Sequence, residues 1–145
     1  MALTGNWATN TFKAGILDGT FNFNTGTSDV YKIALYTNAA TLDATTSAYT
    51  STGEVVASGY TAGGQILSIS QVPTVGSSGS TAYLSFGNAS WTGSITARGA
   101  LIYKENGTTN PTVCVLDFGS DKTSSTTFAV QFPAATNTSA IIRIS

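Results

Sequence analysis

The stretch Tyr31-Lys32-Ile33-Ala34-Leu35-Tyr36 decides the fold class, because apolar residues recur in it at every second position. A period of two is typical of a half-buried β-strand, and it places Tyr31, Ile33 and Leu35 on one face. Similar short stretches, separated by turn residues, follow at 54–56, 65–72, 82–86, 96–103, 112–118, 128–132 and 140–144. About eight short strands with frequent turns predict an all-β protein, an antiparallel β-sandwich or jelly-roll-like domain.

Only the segment before the first strand has a helical pattern. Ala8, Phe12 and Ile16 recur at a spacing of four, with Gly15 on the same side, and Asp18-Gly19 supplies a stop signal. The spacing predicts one short helix over residues 7–17. With 145 residues, the size of one domain, we expect a single β-sandwich domain with an N-terminal helical arm (1–25) and a β core (26–145).

The predicted strands are separated by segments rich in turn residues. Residues 38–53 are mostly Thr, Ala and Ser and predict a long, exposed connection. Residues 59–64, Gly-Tyr-Thr-Ala-Gly-Gly, predict a sharp turn, and residues 75–81 predict a surface loop. Pro73 lacks an N–H donor and is expected to end the strand before it, whereas Asn106-Gly107 predicts a hairpin.

Charge is scarce along the whole chain. Charged residues make up 9% of the sequence and the formal net charge is -1, whereas soluble domains carry roughly 25% charged residues. No basic stripe is present, so we expect neither nucleic-acid nor membrane-surface binding. Permanent assembly with partners would keep such a chain soluble, and the alternative is a monomer that its hydroxyl and amide groups keep soluble.

Residues for the commonest catalytic and metal sites are missing from the sequence. The chain has no histidine, so Ser-His-Asp and Cys-His arrangements are excluded, and its one cysteine is too few for a structural zinc site. Cys114 lies in an apolar run and is expected to be a buried, inert thiol. The first six residues do not have the pattern of a signal peptide, so we expect synthesis in the cytoplasm.

Asp117 and Asp121 form the best candidate pair of carboxylates. They flank Phe118-Gly119 and precede Lys122, and they could act as an acid–base or calcium pair. The alternative is a turn in which the carboxylates bond local backbone amides, and we favour it because no calcium-loop spacing is present. Residues 59–64 lack the Gly-Lys-Ser/Thr of a phosphate loop. The sequence therefore predicts no catalytic residue, no cofactor site, no metal site and no small-molecule substrate.

Aromatic side chains and one arginine leave a choice between binding and structural roles. The aromatics could form a sugar-binding platform, but sandwich cores and subunit interfaces bury the same residues, which we favour. The aromatic candidates are Trp7, Trp91, Tyr36, Tyr49, Tyr60 and Tyr103. Arg98 lies among small residues of a predicted strand and could form an intersubunit ion pair or blunt an exposed sheet edge.

Several motifs together resemble a family of small virion proteins of tailed phages. The front half matches in Tyr31-Lys32-Ile33-Ala34-Leu35-Tyr36-Thr37, Glu54-Val55 and the 59–64 turn. The back half matches, in order and spacing, at residues 96–103, 115–122, 132–135 and 140–144. The similarity covers nearly the whole chain and implies a structural component of the virion without catalytic residues.

The resemblance implies a function in particle assembly. We expect a capsid cement or decoration protein that binds the lattice of the major capsid protein and also itself, as a homo-oligomer such as a trimer. Its location would be the virion, assembled in the bacterial cytoplasm. The alternative is a tail or fibre component that acts as a glycan-binding receptor module.

Overall fold

The computed structural model describes residues 3–76 and 79–145, which form ten strands and one short helix. The predicted all-β class with one N-terminal helix is therefore confirmed, with two more strands than expected. The elements are β1 (Trp7–Ala8), α1 (Asn10–Asp18), β2 (Val30–Tyr36), β3 (Gln65–Leu67), β4 (Ile69–Val75), β5 (Ala82–Phe86), β6 (Ala89–Thr92), β7 (Thr96–Glu105), β8 (Thr112–Thr123), β9 (Thr127–Val130) and β10 (Ile142–Ile144).

Antiparallel pairing organises the strands into three sheets. A five-stranded sheet has the order β1-β8-β7-β2-β3, a three-stranded sheet has the order β10-β5-β4, and β6 pairs with β9. The central pair β2 and β7 is in continuous register from Val30 opposite Glu105 to Tyr36 opposite Gly99. This strand order does not identify a jelly-roll, so that finer part of the prediction stays a prediction.

The main core lies on one face of the five-stranded sheet. Tyr31, Ile33 and Leu35, the residues that the period of two places together, all belong to this core. Phe86 of β5 and Trp91 of β6 pack into it from the other sheets. Aromatic rings from the N-terminal segment extend the core, since the Phe23 ring stacks on Tyr31 with centroids 4.5 Å apart.

The opposite face of this sheet is also buried, which the sequence pattern did not predict. Ala34 and Tyr36 of β2 form a second core with Leu101 of β7, and Ala40 and Leu42 of the 38–53 connection cover them. The prediction of an exposed connection is therefore only partly correct, because Ala40 and Leu42 are buried while many of their neighbours in residues 38–53 are exposed. A small residue such as Ala40 allows irregular backbone to lie close against the sheet.

Helix α1 begins later than its spacing predicted. Thr9 is its N-cap: the Thr9 hydroxyl oxygen accepts the Phe12 N–H at 3.1 Å, and residues 7–8 pair with β8 as β1 instead of joining the helix. Phe12 and Gly15 face the core, whereas Ile16 is exposed, so the predicted apolar face is only partly correct. The predicted stop is confirmed, because Gly19 caps the helix in the left-handed region at φ 80°.

Two local predictions fail where strands are irregular. Pro73 does not end its strand, because β4 lies at a sheet edge and its register shifts between Gln71 and Thr74, where a missing N–H is tolerated. The predicted 65–72 strand is split at Ser68 into β3 and β4. The Asn106-Gly107 hairpin is confirmed as a connection of β7 and β8, but with a longer loop in which Asn106 Oδ1 accepts three backbone N–H groups. Within the predicted 75–81 loop, residues 77–78 lie outside the described residues.

Candidate functional site

An apolar groove of about 660 Å³ lies between two sheet edges of the protein. Its walls come from β1 at one end of the five-stranded sheet, from α1, and from β10 at one end of the three-stranded sheet. Residues 113–116 of β8 also line the groove. The volume falls within the roughly 300–1,000 Å³ of ligand-binding pockets. Four structural elements therefore converge on one concave, mostly apolar surface.

Large apolar side chains around this groove remain in contact with solvent. Leu17 is 89% exposed, and Trp7, Ile16 and Ile144 are each at least 40% exposed. All four line the groove, so they form one connected surface instead of scattered single residues. Connected apolar patches of this kind mark contact sites for other molecules. We call this surface, with its lining, the terminal groove.

Sequence reasoning did not find the terminal groove. The spacing of Ala8, Phe12 and Ile16 predicted a helix with one apolar edge, whereas Ile16 and its neighbour Leu17 are exposed. The sequence feature that could have indicated the groove is Leu17, an apolar residue one position away from the apolar edge of a short helix. The convergence of residues 7–17 with residues 139–144 depends on long-range strand pairing, which local patterns do not encode.

Of the two candidate carboxylates, Asp117 forms an ion pair with Arg98, and Asp121 is exposed. Asp117 Oδ1 accepts the Arg98 Nε–H at 2.9 Å and the Gly119 N–H at 2.8 Å, and the hydrogen bond from Arg98 lowers the pKa of Asp117. The Arg98 Nη2 also donates to the Leu3 carbonyl at 3.2 Å. Arg98 therefore tethers the N-terminal segment within the chain, where the sequence suggested an intersubunit pair or a bare edge charge.

The tyrosines surround a buried carboxylate that the sequence analysis did not single out. Glu54 is 8% exposed, and its Oε1 accepts the Tyr60 hydroxyl at 2.6 Å and the Gly63 N–H at 2.7 Å. Its Oε2 accepts the Tyr49 hydroxyl at 2.6 Å. The Tyr103 hydroxyl donates to the Gly63 carbonyl at 2.7 Å. Each of these bonds fastens the 37–64 segment to the sheet or to itself.

Burial raises the pKa of these hydroxyls further above neutral pH. Desolvation by burial raises the pKa of Tyr36 and Tyr60, and it raises the pKa of Tyr103 to about 12. Neutral hydroxyls donate hydrogen bonds to the Thr50 carbonyl and to Glu54. The cluster is thus built to hold backbone in place, and it differs from a site whose groups titrate near pH 7.

The glycine-rich turn at 59–64 is filled by the protein itself. A Cβ on Gly64 would lie 1.8 Å from the Ile33 carbonyl oxygen, so the turn backbone packs directly on β2. The Gly63 N–H, which an anion cradle would direct at a ligand, donates to Glu54. The turn serves as a close-packing element against the sheet.

The aromatic candidates separate into core residues and one exposed ring. Trp91 is buried and packs against Phe128 and Tyr60, and Tyr36 and Tyr103 are buried beneath the 37–64 segment. Among the aromatic candidates, Trp7 is the one that the terminal groove exposes. The structure therefore places most of the proposed sugar platform in the interior.

Cys114 lies in the wall of the terminal groove with its thiol buried. Burial raises the pKa of the Cys114 thiol to about 12, which disfavours the reactive thiolate. In the described residues 3–76 and 79–145, no three Cys, Asp or Glu side chains gather as metal ligands. No helix in the same residues is long and apolar enough to cross a membrane.

With this geometry established, the chain was compared with known proteins. No protein-family model, no curated protein and no solved structure matches it. The class of the molecule is therefore defined by its own architecture, an all-β protein with sandwich-like sheets and one apolar groove between sheet edges.

Proposed function

We propose that this chain is a structural protein of a tailed-phage virion, most specifically a capsid cement protein. In this role it binds the lattice of the major capsid protein and stabilises the shell. The family resemblance in the sequence suggests the particle, and one structural observation supports a role in assembly. That observation is the terminal groove, whose exposed Trp7, Ile16 and Leu17 form a connected apolar surface.

The chemistry of the chain supports a binding role over a catalytic one. Asp117, one member of the candidate carboxylate pair, is held by Arg98. The buried Glu54 accepts hydrogen bonds from two tyrosines and a backbone N–H. A cement protein needs none of these groups to react. It needs area, because a stable contact buries about 800 Å² on each partner.

Self-association is part of the proposal. Trimers placed at threefold positions of the shell would each contact several capsid subunits, and the many contacts would add avidity. With only 9% charged residues, copies of this chain repel each other weakly and tolerate close spacing on a lattice.

Particles with and without the protein test this proposal. Particles that lack the protein are expected to lose their genomes at lower temperature or lower salt than complete particles. Restoring purified protein should restore the stability. Equal stability of both kinds of particle would contradict the cement role.

The alternative is a tail or fibre module that binds glycans, and exposed Trp7 is the observation that favours it. Copy number separates the two functions. A cement protein is expected in hundreds of copies per virion and a tail component in a handful, which quantitative staining of purified virions measures. A low copy number, with immunogold labelling at the tail, would favour the alternative.

A further inference from the structure

The terminal groove is bordered by a sheet edge that can accept another strand. Strand β10 pairs with β5 on one side, with Ile142 opposite Leu84 and Ile144 opposite Ala82. It is the last strand of its sheet, so its second side has no strand partner in the described part of the chain. A free edge presents backbone N–H and C=O groups that pair readily with an extended segment.

The groove next to this edge suits the side chains of such a segment. In an extended segment every second side chain faces the same way, at a spacing of about 6.7 Å. Side chains from one face of an added strand would enter the 660 Å³ space between β10, α1 and β1. Ile16, Leu17 and Ile144 would contact them, which explains why these residues are apolar although exposed.

Charge at the groove defines the chemistry of the occupant. Its lining includes Lys13 and Arg143 and contains no Asp or Glu. In the described residues, the ion pairs join Lys32 to Glu105, Arg98 to Asp117 and Lys104 to Asp29, so neither groove cation is neutralised by a carboxylate. Arg143 donates to the Thr138 carbonyl, which fixes its position without cancelling its charge. A partner with carboxylates is favoured here.

The same charges argue against a second copy of this chain as the occupant. Arg143 is the middle residue of the three-residue strand β10. If two β10 strands paired antiparallel about a twofold axis, Arg143 would lie directly opposite Arg143 of the other copy. Like charges placed directly opposite across strands are destabilising.

We propose that the terminal groove binds an extended, apolar and acidic segment of a different protein, by strand addition to the free edge of β10. Apolar side chains at alternate positions enter the groove, and at least one carboxylate contacts Lys13 or Arg143. The inference rests on the proposed function in treating the groove as a protein-contact surface. It holds whether the partner belongs to the capsid or to the tail.

Selection from a library of random twelve-residue peptides, with the full chain as target, tests this. Enriched peptides are expected to alternate apolar residues and to contain Asp or Glu. On titration, they should shift the backbone amide NMR signals of residues 141–145 and 13–17. Each of three results would overturn the proposal. The enriched peptides could lack acidic residues, their apolar residues could recur every three to four positions as in a helix, or the NMR signals that shift could belong to other parts of the molecule.

Charge reversal provides a matched control. The double variant Lys13→Glu/Arg143→Glu is expected to weaken binding of the enriched acidic peptides by about tenfold or more. Lys122→Glu, at an exposed lysine outside the groove, should leave binding unchanged. Equal affinity of the peptides for the unmodified protein and both variants, with unchanged melting temperatures, would exclude an acidic partner. Formation of a dimer that the double variant strengthens would instead identify a second copy as the occupant.

Failure of this inference can be distinguished from failure of the proposed function. If purified wild-type virions do not contain the protein, the proposed function is contradicted, whatever the result of the peptide selection. Virions that contain the protein, together with peptides that bind without the acidic preference, would retain the function and reject the mode of recognition.

Discussion

One face of the five-stranded sheet packs mainly on other strands, whereas the opposite face packs on Ala40, Leu42 and Tyr49 of the 37–64 segment, which contains no regular strand. On the first face the contacts are apolar, and the facing strands pair their backbone groups in ladders. On the second face, tyrosine hydroxyls and Glu54 hold irregular backbone, for example through the Tyr36 hydroxyl and the Thr50 carbonyl. The comparison teaches that irregular backbone can cover a sheet when side chains supply the missing hydrogen bonds.

The largest expected effect comes from breaking the close approach of the segment to β2. Gly64→Ala would place a Cβ 1.8 Å from the Ile33 carbonyl oxygen at φ +75°, so the segment must move away from the sheet. We expect the free energy of unfolding to fall by more than about 4 kcal/mol, because strain at a special backbone conformation is among the causes of large losses in stability. Urea unfolding measures this change.

Gly26→Ala is the matched control for this prediction. Gly26 has φ +80° and nothing within 4 Å of an added Cβ, so only the conformational cost remains, about 1–2 kcal/mol. Equal losses in the two variants would mean that the segment does not pack tightly on β2.

The next prediction compares the stability effects of substituting two neighbouring residues that face opposite sides of the sheet. Ile102 belongs to the main core and Leu101 to the second core, and both are fully buried. We expect Ile102→Ala and Leu101→Ala each to lower the free energy of unfolding by about 2–5 kcal/mol. A loss below about 1 kcal/mol for Leu101→Ala alone, measured by urea unfolding, would show that the second face is only loosely covered.

A smaller effect is expected from replacing the Glu54 carboxylate by an amide. Glu54→Gln keeps the shape but replaces one acceptor oxygen by an NH2 group, which cannot accept the Tyr49 or Tyr60 hydroxyl or the Gly63 N–H. A buried donor left without an acceptor lowers the free energy of unfolding by about 1–3 kcal/mol. Differential scanning calorimetry at pH 7 checks this. Glu105→Gln, at a half-exposed ion pair with Lys32, is the control, with an expected change under about 1 kcal/mol.

The smallest effect is the contribution of Tyr103, on the second face, to the pH dependence of stability. The pKa of Tyr103 is raised to about 12 by burial, above the value of about 10 for an unfolded tyrosine. Its stabilising contribution is thus complete below pH 10 and is lost as the pH rises toward 12, by at most about 1.4 kcal/mol per pH unit. Tyr103→Phe should flatten the fall in unfolding free energy between pH 10 and pH 11. Parallel curves for both proteins would exclude Tyr103 as the cause.

The sequence predicted the first face better than the second, for a physical reason. The alternation in residues 31–36 identified Tyr31, Ile33 and Leu35 as a face, and the structure confirms it. The alternation did not identify Ala34 and Tyr36 as a second buried face, because the 38–53 connection that covers them is rich in Thr and Ala. Periodicity reports burial on one face of a strand, and it fails where both faces are buried.

The candidate site was even less accessible to prediction. The absence of histidine and the single cysteine are direct readings of composition. The terminal groove, in contrast, depends on the pairing of residues 7–8 with β8 and on the position of β10 at a sheet edge. The first joins residues more than 100 positions apart in the chain, and the second follows from the order of the strands. No local sequence pattern specifies either one.

The two edges of the three-stranded sheet differ in a way that limits growth of assemblies. Strand β4 carries Pro73 and register shifts, so its outer side is a poor template, whereas β10 has regular pairing and an open side. A sheet that accepts a strand at one edge and refuses one at the other cannot elongate by repeated addition. Growth of this sheet would therefore stop after one added strand, which protects against fibril formation at high local concentration.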